Sequence, residues 1–237
     1  MKNKMLCLVC SVLLVMALSV PVMANQKEIP EELKSTIVYD ENGKVDAKYY
    51  EDMQYKLIDE FEKKVKKEKA SKIKDGSFST QSINVVPGDV FVSFSGTTSG
   101  IDFALVGHAS LVETSGGVWC ISSWPGSKSP SGIDGVQYEY RYWDNLSKVY
   151  GLRVNGSTST SRQNAVNNAT AIVSKSPRLP YNWFFLNKFT TNSYYCSQLV
   201  WRAWSDAGIN IDRFPYDTVV SPAELTGSHM TTVYYKD

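Results

Sequence analysis

Apolar and polar positions divide the chain into two regimes. Between residues 25 and 80, Tyr50, Met53, Leu57, Phe61 and Val65 recur every three to four residues, the period of a helix with one apolar face. Glu60, Glu62, Lys63, Lys64, Lys66 and Lys67 flank that stripe, which stops near Val65. Charge dominates from Lys66 to Lys74. This end reads as a solvated helix terminus running into a linker. The alternative is a propeptide, or an arm that docks on the rest of the protein or on anionic wall polymers or lipids.

From Val85 the pattern becomes strand-like. Val90–Phe94, Ala104–Glu113, Val118–Trp124, Val136–Trp143 and Lys148–Val154 are rich in β-branched and aromatic residues, with glycine-rich breaks such as Ser115-Gly116-Gly117. A helix is predicted from about Thr160, where Thr160-Ser161-Arg162-Gln163 resembles a capping box. Its apolar face is Ala165, Val166, Ala169, Ile172 and Val173, and Pro177 and Pro180 end it. A second amphipathic helix follows Cys196, with Leu199, Val200, Ala203 and Ala207 at helical spacing. Ser193 is its expected N-cap. A helical turn after Pro222 and a strand over Thr231–Tyr235 close the chain. Strands first and helices second predict an α+β fold.

The N-terminus has its own character. Lys2 and Lys4 precede an apolar run from Met5 to Val22, and Val22-Met23-Ala24 supplies small residues for cleavage. Residues 1–24 therefore read as a secretory signal peptide; Pro21 and the short span weigh against a membrane anchor. The expected organisation is a signal over 1–24, a charged helical extension over 25–80 and one domain over 81–237, with a secreted or cell-envelope location. Those first 24 residues carry two lysines and no acid, so the remainder holds 23 basic and 24 acidic residues. A balance near zero gives no global attraction to nucleic acid. No glycine-rich phosphate loop is present, and the histidines and cysteines lack ligand spacing, so neither metal nor cofactor is expected.

The chemistry centres on Cys196. A thiol in the first turn of a helix meets free backbone N–H groups and the positive end of the dipole, which favour a thiolate. Beyond the signal only Cys120 and Cys196 remain. In an exported protein they invite a structural disulfide; the other reading is a reactive Cys196 with a separate Cys120. A thiolate needs a base. His108, mid-strand beside Gly107, is the candidate, whereas His229 lies in a polar stretch near the end of the chain. The imidazole needs a third group on its other nitrogen. Ser122, on the facing side of the next strand, is the first choice. Glu113, five residues past His108, falls on the opposite strand face.

Two sets of motifs then stand out. One is Pro87-Gly88-Asp89-Val90-Phe91 with Gly107-His108-Ala109-Ser110-Leu111-Val112. The other is Leu179-Pro180-Tyr181-Asn182-Trp183 with Tyr195-Cys196-Ser197-Gln198-Leu199-Val200 and Ala207-Gly208-Ile209. Over residues 85–237 these resemble the NlpC-type papain-like cysteine hydrolases. The histidine half comes first, as in the circularly permuted, YiiX-like and YycO-like branch related to lecithin:retinol acyltransferase. The resemblance implies a permuted papain-like fold, with an antiparallel sheet packed on the helix that bears the cysteine. It also implies Cys196 as nucleophile, His108 as base, and Tyr181 lining the site. The stretch Ser122-Ser123-Trp124-Pro125 departs from the branch, which often places a carboxylate or other polar residue first. Trp183 and Tyr195, with Phe184, Phe185 and Tyr194, form an aromatic cluster suited to an acyl chain or a peptide, or to core packing. The expected activity is cleavage of an amide bond, with cell-wall stem peptide as the natural substrate. The alternatives are lipid acyl transfer or thioester hydrolysis by the same pair, and a degenerate wall-binding module.

Overall fold

The computed structural model describes residues 28–74, 84–146 and 148–236. The signal-like segment over 1–24, with Cys7 and Cys10, lies outside the described residues. Among the described residues no helix is long and apolar enough to cross a membrane.

The architecture is α+β. Six strands, β1 (Val90–Ser99), β2 (Ala104–Val112), β3 (Trp119–Trp124), β4 (Gly135–Tyr140), β5 (Val149–Val154) and β6 (Thr231–Lys236), form one antiparallel sheet in the order β4-β3-β2-β1-β5-β6. Helices are α1 (Glu31–Lys34), α2 (Ala47–Lys74), α3 (Ser159–Val173), α4 (Cys196–Asp206) and α5 (Pro222–Gly227). The main core lies between one sheet face and the helices: Ala109, Leu111, Ile121 and Val136 meet Ala165, Ala169, Leu199, Val200 and Ala203. Trp204 fixes α4 against the strand entry by donating its indole N–H to the Gly88 carbonyl at 3.1 Å.

Helix starts differ from the sequence reading. The N-cap of α3 is Thr158, whose hydroxyl accepts from the Ser161 N–H, so the capping box lies two residues earlier than expected. The N-cap of α4 is Tyr195 rather than Ser193. Tyr195 is extended (φ −89°, ψ 169°), and its N–H donates to Gln198 Oε1 at 3.1 Å. Gln198 also accepts from the Asn182 amide at 2.9 Å and donates to the Thr190 carbonyl at 2.9 Å. This fully buried glutamine, rather than a hydroxyl cap, ties the start of α4 to the preceding loop.

The N-terminal extension is packed on the sheet. Tyr50, Leu57, Phe61 and Val65 of α2 are buried, and residues 66–71 beyond them are exposed, as a solvated helix end would be. Tyr50 stacks on Phe103 with centroids 4.6 Å apart, and Phe61 meets Tyr150 edge-on at 4.9 Å. One contact does more than fill space. The first half of β2 has β1 on one side, while β3 pairs only with its far end. The open side of Ala104–Val106 is covered by α2 side chains. Gln54 donates to the Ala104 carbonyl at 2.8 Å and accepts from the Val106 N–H at 3.0 Å. Glu51 accepts from the Ala104 N–H at 3.0 Å. Buried backbone groups need partners, and here a glutamine amide stands in for a missing strand.

Removing that amide strands two buried backbone groups. Gln54→Leu is expected to lower unfolding free energy by about 2–4 kcal/mol, read as a shift in urea midpoint at unchanged slope. Tyr55→Ala, on the exposed side of α2, is expected to stay within about 0.5 kcal/mol.

Candidate active site

The site lies where β2 leaves its pairing with β1. Ser93 faces His108, but the next paired residues are Thr97 and Val106, so Phe94, Ser95 and Gly96 bulge out opposite Gly107. Gly107 has φ +91°, and a Cβ there would sit 2.5 Å from the Ser93 carbonyl oxygen. Only glycine fits this close approach. The bulge opens a cavity of about 140 Å³ whose walls include Gly96, Thr98, Trp124, Lys128, Tyr142 and Tyr181 around His108 and Cys196.

His108, Ser110, Ser122, Trp124 and Glu139 are joined by hydrogen bonds on one side of the sheet. His108 Nε2 lies 2.9 Å from Glu139 Oε1 and 3.1 Å from Ser122 Oγ. Ser122 gives its own proton to the Ala109 carbonyl at 2.7 Å, so its oxygen is free to accept from Nε2. Glu139 also accepts from the Trp124 indole N–H and the Ser110 hydroxyl, and from the Trp143 indole N–H at 3.0 Å. With Nε2 so occupied, Nδ1 is the nitrogen left for the Cys196 side chain, to which His108 is also hydrogen-bonded. The imidazole stacks on Trp124 with centroids 3.7 Å apart.

The charges follow from this geometry. Burial opposes a charged His108, yet the Glu139 carboxylate and the bonds to Cys196 and Glu139 outweigh it and raise its pKa to about 9. Burial would likewise raise the Cys196 pKa. The hydrogen bond and charge of His108, with the backbone N–H groups of Ala109 and Ser197, pull it below the ordinary thiol value instead. Glu139 is held below the usual carboxylate range, since His108 and its hydroxyl and indole donors overcome burial. The arrangement favours a thiolate–imidazolium pair backed by a carboxylate. Tyr181, at the cavity wall, is pushed well above the usual phenol range by burial and by the Cys196 charge, so its hydroxyl keeps its proton.

The sequence reading and the structure can be compared residue by residue. Cys196, His108, Ser122 and Tyr181 come together. Ser122 contacts His108, but the nearer and charged partner is Glu139, which the sequence reading missed. Tyr195 is not at the surface of the site. Its ring is fully buried, and its hydroxyl accepts from the Val220 N–H at 3.2 Å, so it anchors the core beneath α4. Trp183 is 40% exposed and lies outside the cavity wall, edge-on to Tyr181 at 5.0 Å. Cys120 and Cys196 are both free thiols. Cys120, on β3, is buried near Val112 and Trp143, and burial raises its pKa well above the ordinary value.

Three carboxylates, Asp212, Asp217 and Glu224, also converge, their oxygens within 4.8 Å of one another. The cation in their midst is a lysine. Lys188 Nζ lies 2.6 Å from Asp212 and 2.8 Å from Asp217, and donates to the carbonyls of Phe214 and Val219. Burial, then the Asp217 and Asp212 charges, drive Glu224 well above the usual carboxylate range. A lysine ammonium filling the cluster fits a structural clamp on the loop after α4 better than a metal centre.

Two kinds of outcome are expected, the first in thiol reactivity. Glu139→Gln removes the charge that sustains imidazolium, so iodoacetamide alkylation of Cys196 at pH 6.5 should fall at least about tenfold and its pH profile should move toward that of an ordinary thiol. Ser122→Ala should change the rate less than about threefold, because Glu139 still holds Nε2. The second concerns stability. On folding, the His108 pKa rises and the Cys196 pKa falls, so their effects on pH dependence oppose each other. Cys196→Ala removes the thiol's opposing effect and leaves His108 raised by Glu139 alone, less far than in the wild type; that raised pKa stabilises fully below about 6.5 and progressively less above it. Urea unfolding from pH 6 to 9 should therefore give a steeper fall in stability for Cys196→Ala than for the wild type.

No protein-family model matches the chain, and no curated protein matches it. Among solved structures, it is similar to the crystal structure of metalloprotein yiiX from Escherichia coli O157:H7, DUF1105. Identity is 16%, the match covers 65% of this chain and 98% of that one, and the TM-score is 0.48. At that distance no role passes from one protein to the other.

Proposed function

We propose that this protein is an exported cysteine hydrolase that cleaves an amide bond, with cell-wall stem peptide as substrate, on a permuted papain-like, NlpC-type domain. One observation carries the reading: the hydrogen-bonded line from the Glu139 carboxylate through the His108 imidazole to the Cys196 thiol at the start of α4. The order of the halves, histidine strand before cysteine helix, supports the permuted assignment. Lys2 and Lys4 ahead of the apolar run from Met5 to Val22 support export.

In this mechanism the Cys196 thiolate attacks the scissile carbonyl carbon and forms the C–S bond. The developing oxyanion is met by the Cys196 N–H, free at the first position of the helix, and by the Tyr181 phenol. Imidazolium His108 then gives its proton to the leaving nitrogen as the C–N bond breaks, leaving a thioester. Neutral His108 takes a proton from water, hydroxide attacks the thioester, and the acid and thiolate are released. Glu139 stays anionic throughout and holds the ring in place.

The test has two stages. Iodoacetamide should label Cys196 at neutral pH much faster than a free thiol, and His108→Ala should slow that labelling at least about tenfold. Purified stem peptides should then yield new amines by mass spectrometry, with Cys196→Ala inactive. Ordinary thiol reactivity at Cys196 would sink the catalytic reading. Lysolipid from phospholipid vesicles, with no amine from peptides, would replace amide cleavage by acyl transfer.

A further inference from the structure

The cavity has a charge character that points to the substrate's chemistry. We propose that Lys128 forms an anion-recognition site in it, so that the substrate carries a carboxylate beside the bond to be cleaved. This rests on the reading of Cys196 as nucleophile.

Lys128 ends the short turn Gly126–Lys128 after β3 and lines the same cavity as Cys196. Its ammonium donates to the Thr97 carbonyl at 2.6 Å, so the side chain reaches from the turn to the β1 bulge. One of its three N–H donors is used there. The turn itself is fixed. Asp134 accepts from the Gly126 N–H at 3.0 Å and from the Tyr181 N–H at 3.0 Å, tying the lysine's turn to the tyrosine wall.

Among the described residues no carboxylate lines the cavity. Asp134 is committed to those backbone donors, and Glu139 to the histidine. The rest of the lining is rich in hydroxyls, from Ser95, Thr97, Thr98, Ser123, Tyr142 and Tyr181. The imidazolium and the Cys196 thiolate offset each other, so Lys128 supplies the cavity's uncompensated charge. A carboxylate entering here meets that ammonium and hydroxyl donors, whereas an amine meets a like charge and an aliphatic group leaves two of the lysine's N–H donors without an anion.

The test reads the site without knowing the substrate, using two alkylating agents of similar size, anionic iodoacetate and neutral iodoacetamide. The measured quantity is the ratio of their rates at Cys196. Lys128 is exposed, so its variants are expected to fold, which thermal melting checks. Lys128→Met should lower the iodoacetate-to-iodoacetamide ratio at least about fivefold, Lys128→Glu should lower it further, and Lys128→Arg should keep it. Added salt should shrink the wild-type ratio and barely move that of Lys128→Met. Fast iodoacetamide labelling with a ratio unchanged in Lys128→Met and Lys128→Glu overturns the anion site and leaves the nucleophile standing. Slow labelling by both reagents in the wild type overturns the nucleophile, and this proposal with it.

Discussion

The structure turns on a carboxylate taken out of water. Glu139 is 2% exposed, and an ion so buried is costly unless its oxygens are satisfied. Here each oxygen has two donors: His108 and Trp124 on one, Ser110 and Trp143 on the other. Those donors come from β2, β3 and the turn after β4. The carboxylate can be buried only if three strands hold their register together. A network of this kind is all or nothing, since one missing donor leaves an unpaired charge in a low-dielectric site. The same charge raises His108 and, through it, lowers Cys196. Fold specificity and nucleophile chemistry thus share one interaction.

The strand positions and the two helices after β5 were legible because each rests on short-range pattern; the pairing of Cys196 with His108, distant in the chain, came from the need for a base and from the family resemblance. Glu139 was not, and the reason is physical. Alternation in Val136-Gln137-Tyr138-Glu139-Tyr140 suggests that valine and the tyrosines face inward and the polar residues outward. Val136 does face the main core, but Gln137 and Glu139 are also buried, while Tyr138 and Tyr140 are 39% and 58% exposed. Both faces of β4 are used, one by apolar packing and the other by the polar network. A hydrophobicity pattern sees only the first. Glu139 also lies two strands from His108 in the sheet, so a search confined to the neighbouring strand stops at Ser122. The α4 cap was misplaced for a related reason: its cap comes from a long amide three residues into the helix, which works only because Asn182 and Thr190 arrive from the preceding loop.

The N-terminal extension shows how a distant segment bears on the site. Its apolar stripe was evident, but what the stripe rests on was not. Gln54 satisfies Ala104 and Val106, and Val106 is followed by the left-handed Gly107 and then His108. The strand enters the site braced by β1 on one side and by α2 on the other. A helix read from sequence as an appendage thereby supports the geometry of the proposed base. Its departure would expose a core face and leave backbone groups unpaired in the strand that carries His108.

The two cysteines make the final point. Cys120 and Cys196 are the same residue type, both buried and both free. Burial alone raises a thiol's pKa, and Cys120 behaves so. Its Sγ points to the Gly117 carbonyl, 3.8 Å away, and the nearby carboxylates push the same way as burial. Cys196 suffers the same desolvation but moves in the opposite direction. What differs is the set of donors around the sulfur: an imidazolium and two backbone N–H groups, those of Ala109 on β2 and Ser197 on α4. These come from different elements, so the shift exists only when helix and strand are docked. Reactivity is therefore a property of the packed interface between α4 and β2, and not of the cysteine or its helix alone. That is why helix position in the sequence could nominate Cys196, and only the sheet behind it could supply the charge that draws a buried thiol's pKa down.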